Sequence, residues 1–400
     1  MPDAVIVATG RTPIGRANKG SLVSCRPDDL AALVINEVLA KVPQLDPALV
    51  EDVMLGCGQP AGEAGFNVAR VAAILAGVDV PGVTVNRYCS SSLQTIRMAA
   101  HAIKAGEGDV FLAGGVETVS RFQFGASDVG PHNAAFADAE ARTAARNPAV
   151  TDPWSPPTGL SDVYIAMGQT AENVAEYEKV TRQEMDEFAA RSQQRAVESQ
   201  KNGFFEREII PVTLEDGTVV TKDDGPRDGT TVEGLAALKP VFREGGTITA
   251  GNACPLNDGA AAVIVMSDTR ASQLGITPLA RIVSSGVSAL DPEIMGLGPI
   301  EACRQALRRA GKTIDDIDLV EINEAFAAQV IPSAKHLGID WDKLNVKGGS
   351  IALGHPFGMT GARIMTTLLN ALDDDDKTWG LESMCVGGGQ GMAMVVERLS

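Results

Sequence analysis

The apolar positions of the chain follow two spacings, and the same succession of spacings occurs early and late in the sequence. Residues 30–41 and 300–310 place apolar side chains every three to four positions, which predicts two amphipathic helices. A short apolar run typical of a buried strand follows each helix, at 50–56 and 318–322. Because a repeated order of elements indicates duplication, we predict two related halves.

Further elements recur in each predicted half. The apolar positions Val83 and Val85 precede a turn, a helix at 93–103 and a strand at 110–113. In the other half, a turn at 348–356 precedes a helix at 361–372 and a strand at 383–386. Two such βαβ-rich halves, each a sheet with helices on both faces, would pack together and bring these turns close to one another.

The pattern changes between the two halves, from about residue 121 to residue 248. This segment is polar and rich in alanine and proline, for example at 153–157, and it contains helices such as 181–200. It predicts an inserted subdomain rather than another repeat. We therefore divide the chain into three parts: an N-terminal half (1–120, completed by about 249–270), an insertion (121–248) and a C-terminal half (271–400).

Cys89 is the first candidate for chemistry. It lies in the segment NRYCSSS at 86–92, where an apolar run gives way to small hydroxylated residues before a helix. The unpaired N–H groups and the dipole of a helix N-terminus favour an anion, so a thiolate is expected to form there more easily than on a free cysteine. A small buried cysteine without reactivity is the alternative, which this segment alone favours.

Two glycine-rich turns far along the chain supply partners for this thiol. His355 lies in GGSIALGHP at 348–356, and a rigid, glycine-lined turn allows an imidazole to approach another group closely. Cys385 ends a strand before the three glycines of MCVGGGQGM at 384–392, although a hairpin with a core cysteine would look the same. Two thiols and one imidazole suit acyl transfer through a thioester. The residues alone do not identify the acyl carrier.

Additional motifs make the chain resemble the thiolases, the family of acetyl-CoA acetyltransferases and 3-ketoacyl-CoA thiolases, from end to end. In family order it carries RTPIG at 11–15, the Cys89 segment, GGVETVS at 114–120, GNA at 251–253, NDGAA at 257–261, NEAF at 323–326, and the His355 and Cys385 segments. One such motif would be weak evidence for the resemblance, whereas the ordered set is strong evidence. The resemblance implies a duplicated, five-layered αβαβα fold, with an inserted loop domain that covers the active site and binds much of the CoA.

The resemblance also implies catalytic roles. Cys89 would take the acyl group, His355 would accept its proton, and Cys385 would deprotonate the α-carbon of the second acetyl-CoA, or protonate the carbanion in cleavage. One oxyanion hole would comprise His355 and a water held by Asn323, and the other the backbone N–H groups of Cys89 and Gly387. The alternative for Asn323 is a helix cap, because an asparagine at a strand end often caps the next helix.

Other positions match parts of the family that contact CoA. Arg227 aligns loosely with a basic residue near the nucleotide end, with a solvated surface arginine as the alternative. Cys254 stands where many relatives have a serine against the pantetheine arm, which puts that contact in doubt. Met167 lies in a segment that resembles the acyl-pocket lining, and Phe326 ends the NEAF motif and is grouped with the CoA contacts.

Substrate length is suggested by two bulky side chains. Phe357 replaces a more usual small residue after His355, and with Met167 it would leave little space for a long acyl tail. We therefore expect acetyl transfer and short 3-ketoacyl substrates, although Ala166 could open a channel on the other side. The alternative is a broad-range degradative thiolase of fatty-acid β-oxidation.

Composition and charge exclude several classes. The 400 residues are 44% hydrophobic, enough for two core domains or one large one with an insertion. A net charge of −17 argues against binding nucleic acid or acidic membranes, and it requires a local basic patch for an anionic CoA. The six cysteines lack disulfide or zinc spacing, and we expect no leader, membrane span or peroxisomal tripeptide. We expect a cytoplasmic enzyme without metal or a permanently bound cofactor.

Other predictions concern less reactive segments. The remaining histidines, His101, His132 and His336, are expected to be surface or hydrogen-bonded side chains. The acidic run at 373–376 is expected to be a solvated loop between a helix and a strand. In the family two subunits commonly pair through the N-terminal half, and dimers often join through a loop that would lie here within about 121–157. We expect at least a homodimer, and favour a tetramer.

Three competing functions are less well supported. The ketoacyl synthases share the duplicated fold and a cysteine nucleophile but use two histidines, whereas this chain has Asn323 and a second thiol at Cys385. A non-catalytic, acyl-CoA- or lipid-binding relative is disfavoured because all four catalytic positions are filled. A cysteine hydrolase would need water in place of the thiol acceptor.

Overall fold

The computed structural model describes residues 2–122, 130–146 and 153–400. Its strands are β1 (Ala4–Arg11), β2 (Gly15–Arg16), β3 (Asp52–Gly56), β4 (Gly82–Val85), β5 (Val110–Thr118), β6 (Val212–Thr213), β7 (Val219–Val220), β8 (Asn257–Ser267), β9 (Ala280–Ala289), β10 (Leu319–Ile322), β11 (Trp379–Val386) and β12 (Gln390–Arg398). Its α-helices are α1 (Pro27–Ala40), α2 (Val68–Leu75), α3 (Ser91–Ala105), α4 (Ala137–Ala145), α5 (Met167–Glu178), α6 (Arg182–Lys201), α7 (Val232–Ala236), α8 (Asp268–Leu274), α9 (Gly298–Ala310), α10 (Ala327–Leu337), α11 (Ser350–Leu353) and α12 (Thr360–Asp374).

The sheet repeats one strand order, as the sequence predicted. Its path is β10-β11-β12-β9-β1-β8-β5-β3-β4, with β2 paired to β8. On one side β4, β3 and β5 are parallel and β8 and β1 follow antiparallel; on the other, β10 and β11 are parallel and β12 and β9 follow antiparallel. A parallel bridge from Val320 to Leu344 occupies the place of β4 in the second half. The halves join where β1 pairs with β9 through Val5 and Ile6.

Alternating side chains on the strands separate three hydrophobic cores. Ile6 of β1 and Met394 of β12 point into a central core that also contains α3 and α12. Their neighbours point the opposite way: Val7 packs toward α1 and α2, and Val395 packs toward α9 and α10. Helices therefore lie outside each half-sheet and between them, which confirms the expected αβαβα fold.

The central helices α3 and α12 contact each other closely near their N-termini. A side chain at Gly361 would collide with the backbone of Leu93, so only glycine permits this approach. The hydroxyl of Ser92 accepts a hydrogen bond of 2.9 Å from the N–H of Ala362. Because the Cys89 turn precedes α3 and the His355 turn precedes α12, this contact brings both turns to the same end of the central layer.

The segment between β5 and β8 carries α4 to α7 and the β6–β7 pair. It is tied to β1 by the fully buried Arg11, which forms ion pairs of 2.7 Å with both Glu208 and Asp223. Removing one partner of such a buried group would leave an uncompensated charge, so this cluster holds the segment firmly on the first half.

Two predicted boundaries were wrong. Strand β5 continues to Thr118 rather than ending at 113, because its pairing with β8 extends through Thr118 and Asp258. The acidic run is only partly a loop, because α12 extends to Asp374 and Lys347 pairs with that carboxylate at 2.7 Å. Among the described residues, no helix is long and apolar enough to cross a membrane.

Candidate active site

Cys89 lies in a 3₁₀ turn, Tyr88–Ser90, at the start of α3, and only 8% of the residue is exposed. The backbone N–H groups of Gly387 and of Cys89 itself are directed at the sulfur and lower its pKa. Burial outweighs them and raises the pKa of Cys89 from 9.0 to about 12. The thiol is therefore neutral in the free protein, and the expectation of an easily formed thiolate was wrong for this resting state.

The His355 turn is fixed by contacts with Asn257. Gly354 adopts φ +118°, and a side chain there would lie 2.6 Å from the amide of Asn257. That amide also accepts a hydrogen bond of 2.9 Å from the N–H of His355. Burial, and then the positive charge of Arg363, lower the pKa of His355 to about 3, so the imidazole is neutral and able to accept a proton.

Thr360 determines which ring nitrogen of His355 carries the hydrogen. Its hydroxyl lies 2.6 Å from Nδ1 and donates to the carbonyl of Pro356 at 2.8 Å. A carbonyl can only accept, so the hydroxyl oxygen must accept from Nδ1–H. The hydrogen-bond network thus assigns the lone pair to Nε2, the atom that faces Asn323 at 3.3 Å from its Nδ2. Sequence analysis did not assign this role to Thr360.

Asn323 follows β10 and turns its amide toward His355 rather than toward a helix. Its backbone N–H donates to Ser383 at 2.9 Å, and its carbonyl accepts from Gln329 at 2.6 Å. Helix α10 begins later, at Ala327, with no side-chain cap. The helix-cap alternative for Asn323 was therefore wrong.

Three thiols lie close together at this end of the molecule. Cys385, at the end of β11, is fully buried, and Cys254 is partly buried. Burial raises the pKa of Cys385 well above its ordinary value, and charge on either Cys89 or Cys254 would raise it further. Burial also raises the pKa of Cys254, so both of these cysteines are neutral at rest. The six cysteines, all among the described residues, are free thiols.

A cavity of about 210 Å³ opens over Cys89. Met167 and Phe357 line it, and the ring of Phe357 also packs edge-to-face against the imidazole of His355, with centroids 5.2 Å apart. Ala166 is exposed and does not belong to the lining. The other lining residues are Gln59, Tyr88, His132, Val163, Tyr164, Ile165, Gly387 and Gly388.

His132 is an exposed, hydrogen-bonded side chain, as predicted, and it also contributes to the site. It stacks on Tyr164, with ring centroids 3.9 Å apart, and the pair forms part of the cavity over Cys89. No local signal in the sequence separated this histidine from His101 and His336, which are also exposed but line no part of this cavity. Its position depends on how the segment between β5 and β8 folds over the site.

The candidate CoA contacts lie in two places. Phe326 is buried and its backbone forms an isolated antiparallel bridge with Ala253; next to it, the Cys254 N–H donates to the carbonyl of Ala325 at 3.0 Å. Arg227 lines a separate cavity of about 430 Å³ along α6, where burial and then the charge of Arg16 lower its pKa. The structure therefore does not bring Arg227 to the Cys89 cavity.

Glu117, which sequence analysis missed, organises two loops beside the site. Its buried carboxylate accepts backbone hydrogen bonds from Gly58 at 2.7 Å, from Gln59 at 3.2 Å and from Gly358 at 2.8 Å. Burial raises the pKa of Glu117 to about 7. The glutamate lies in the GGVETVS motif, but its role depends on loops from both halves and cannot be read from that motif.

Family models match nearly the whole chain. The thiolase N-terminal domain matches residues 4–269, and the thiolase C-terminal domain matches residues 276–398. Together with the duplicated fold and the motifs around the three thiols, these matches establish that the chain belongs to the thiolase family. It is an acyltransferase of the thiolase type, with CoA thioesters as substrates. No group of three or more side chains able to hold a metal ion occurs in residues 2–122, 130–146 and 153–400.

Individual relatives align over their full length. The chain is 44% identical to the 3-oxoadipyl-CoA/3-oxo-5,6-dehydrosuberyl-CoA thiolase of Escherichia coli K12 over 410 residues, covering 100% of both chains. It is also 44% identical to a 3-ketoacyl-CoA thiolase of Aeromonas hydrophila, again covering 100% of both. The crystal structure of Bacillus anthracis acetyl-CoA acetyltransferase is similar, with a TM-score of 0.86, 39% identity, and coverage of 100% of this chain and 99% of that one.

Proposed function

We propose that the protein condenses and cleaves short 3-ketoacyl-CoA thioesters through an acyl group carried on Cys89. The observation that carries this proposal is the grouping of Cys89, Cys385 and the hydrogen-bonded pair of His355 and Asn323 at one end of the central helices. The titratable groups have the protonation states that the chemistry needs before substrate arrives: the two thiols are neutral, and the imidazole is neutral with no hydrogen on Nε2.

In acylation, the sulfur of Cys89 bonds to the thioester carbonyl carbon while its proton passes to Nε2 of His355. The bond to the CoA sulfur then breaks, and Cys385 gives its proton to the departing sulfur. Cys385 is left as a thiolate opposite a charged imidazolium. This order starts from neutral groups, in agreement with the raised pKa values of both thiols and the lowered pKa of His355.

In condensation, the Cys385 thiolate takes an α-proton from the second acetyl-CoA. The carbanion attacks the acyl carbon on Cys89, whose sulfur leaves and recovers its proton from His355, so that protons balance over the cycle. The N–H groups of Cys89 and Gly387, already directed at the sulfur, would stabilise one oxyanion, and His355 with a water held by Asn323 would stabilise the other.

The size of the cavity over Cys89 supports short substrates. Its volume is about 210 Å³, and Met167 and Phe357 both occupy its wall. Ala166 is exposed and is not among the residues that line the cavity. A chain of several extra methylenes would have to displace one of these side chains.

We predict a steep fall in kcat/KM for thiolysis from four to eight acyl carbons. A hydrophobic pocket discriminates by roughly 1–3 kcal/mol per methylene, so the fall should exceed about 100-fold. Phe357→Ala should raise kcat/KM for the eight-carbon substrate far more than kcat/KM for the four-carbon substrate, which serves as the internal control. Equal or rising kcat/KM over the series in the wild-type enzyme would indicate a broad-range degradative thiolase instead.

A second candidate substrate is a 3-ketoacyl-CoA that ends in a carboxylate, as in the name of the Escherichia coli relative. The polar side chains of Gln59 and His132 line the cavity and could face such a group. Including 3-oxoadipyl-CoA in the same series separates the two. A kcat/KM for 3-oxoadipyl-CoA well above the kcat/KM for the uncharged six-carbon substrate would favour this candidate.

We infer that the segment at 121–248 covers the site and contributes to CoA binding. Arg227 and the nearby Arg16 supply positive charge for the phosphates in an acidic protein, while Cys254 and Phe326 lie where the pantetheine arm would reach the thiols. A cytoplasmic location suits the six free thiols, since disulfides form in oxidising compartments.

We further propose a homodimer formed through the N-terminal half. Strand β4 is the outer edge of its half-sheet, and α2 beside it exposes Ile74 and Leu75, with Phe66 86% exposed just before it. An unpaired strand edge next to apolar side chains is typical of an association surface. The expected tetramer loop, within about 121–157, falls partly on residues outside those the structure describes.

Light scattering should therefore give at least twice the 41.7 kDa of one chain. Ile74→Asp should lower the mass toward that of a monomer, because it places a charge in the association surface. The matched variant Val219→Asp, at an exposed apolar position on β7, should leave the mass unchanged. A monomer mass for the wild-type protein at micromolar concentration would contradict the proposal.

A further inference from the structure

The amide of Asn323 is held by a buried chain of hydrogen bonds from α12. Arg363 Nη2 donates to the hydroxyl of Ser350 at 2.8 Å, and that hydroxyl donates to Oδ1 of Asn323 at 2.6 Å. All three side chains are buried, with Ser350 and Arg363 fully excluded from solvent. This series of hydrogen bonds ends at Nε2 of His355, which lies 3.3 Å from Nδ2 of Asn323.

The donor-to-acceptor direction of these hydrogen bonds is fixed at both ends of the series. A guanidinium can only donate, so Ser350 accepts from Arg363 and its single hydrogen goes to Asn323. The Asn323 atom that accepts it must be oxygen, which turns the amide nitrogen toward His355. At the other end, Thr360 leaves Nε2 without a hydrogen, so Nε2 accepts from that nitrogen. The reversed amide would set its oxygen against the lone pair of Nε2.

We propose that Ser350, held by Arg363, is a positioning residue that fixes the amide of Asn323 with its nitrogen toward the reacting groups. This inference rests on the proposed role of Asn323 in the reaction. Without the hydroxyl, Oδ1 of Asn323 would lose its donor, and the amide could rotate so that its oxygen faces the developing negative charge.

The test is a double-mutant cycle measured as kcat for acetoacetyl-CoA formation. Ser350→Ala should lower kcat about 10- to 100-fold with little change in KM, because a misplaced group near the reacting atoms costs about that much. In an Asn323→Ala background the same substitution should have no further effect. Ser333→Ala, a matched deletion of a fully buried hydroxyl on α10, should leave kcat unchanged.

The outcomes separate this inference from the proposed function. The positioning role alone would be overturned if the fold-losses in kcat of the two single variants multiply in the double variant. It would also be overturned if Ser350→Ala leaves kcat unchanged. An unchanged kcat for Asn323→Ala would overturn its proposed role in the reaction, and the inference with it. If Ser350→Ala fails to fold, Ser350→Cys, whose thiol is a weaker donor, enters the same cycle and should give an intermediate loss.

A separate pair of variants tests whether Arg363 holds Ser350 in place. Arg363→Lys keeps a group that can only donate, whereas Arg363→Met has a similar length and no donor. The lysine variant should retain several-fold more kcat than the methionine variant, and Asn323→Ala should remove that difference. Equal kcat in the two variants would show that Arg363 does not act through Ser350.

Discussion

Cys89→Ala should abolish both condensation and thiolysis, with kcat lower by at least about 10⁴-fold, because a methyl group cannot carry the acyl group. The fold should be retained, since the side chain is small and the turn is held by backbone hydrogen bonds. Mass spectrometry of the wild-type enzyme mixed with acetyl-CoA should show one acetyl adduct, at Cys89, and the variant should show none.

Cys303→Ala provides the matched control for this result. Cys303 is also a buried free thiol, but it lies on α9 in the outer core. Its substitution should leave the adduct at Cys89 in place. An adduct at Cys254 or Cys385 in the wild-type enzyme would assign the nucleophile elsewhere.

Cys385→Ser should separate the two half-reactions. The variant should still form the acetyl adduct, because attack by Cys89 and proton acceptance by His355 do not require the second thiol, and the CoA thiolate can depart unprotonated. Condensation should fall by about 10²- to 10⁴-fold, since a serine hydroxyl has a far higher pKa and cannot take the α-proton near neutral pH.

The measurement pairs adduct formation with exchange of the α-protons of acetyl-CoA in deuterated water. Exchange should be lost in Cys385→Ser and retained in the control Cys303→Ser. If Cys385→Ser produces acetoacetyl-CoA at a near wild-type rate, Cys385 is only a core residue of the hairpin.

Much of the fold could be predicted from the sequence because the elements are strongly periodic. The helices that became α3, α9 and α12 were predicted within a few residues of their bounds, and the duplicated order of elements appears directly in the sheet. The boundaries that failed depend on tertiary pairing. Strand β5, for example, ends where β8 stops pairing with it rather than at a local signal.

At the site, the sequence predicted Cys89, His355 and Cys385 as reacting groups, and the structure places them at one end of the molecule, but the sequence did not indicate the side chains that contact them. Thr360 of α12 contacts His355 and Ser350 of α11 contacts Asn323 through their side chains, and such contacts leave no mark in a local pattern. The ionisation of Cys89 was also misjudged. A helix N-terminus can be read from sequence, whereas the burial that outweighs it depends on the folded surroundings.

The deep burial of Cys89 also bears on how the enzyme survives oxidants. Peroxides and electrophiles react with the thiolate, and burial, which raises the pKa of Cys89 to about 12, keeps the thiol almost entirely un-ionised at neutral pH. The free protein therefore carries Cys89 in an unreactive form. Under the proposed mechanism, Cys89 becomes reactive only when a thioester occupies the cavity beside His355, so the substrate itself would activate the sulfur that accepts its acyl group.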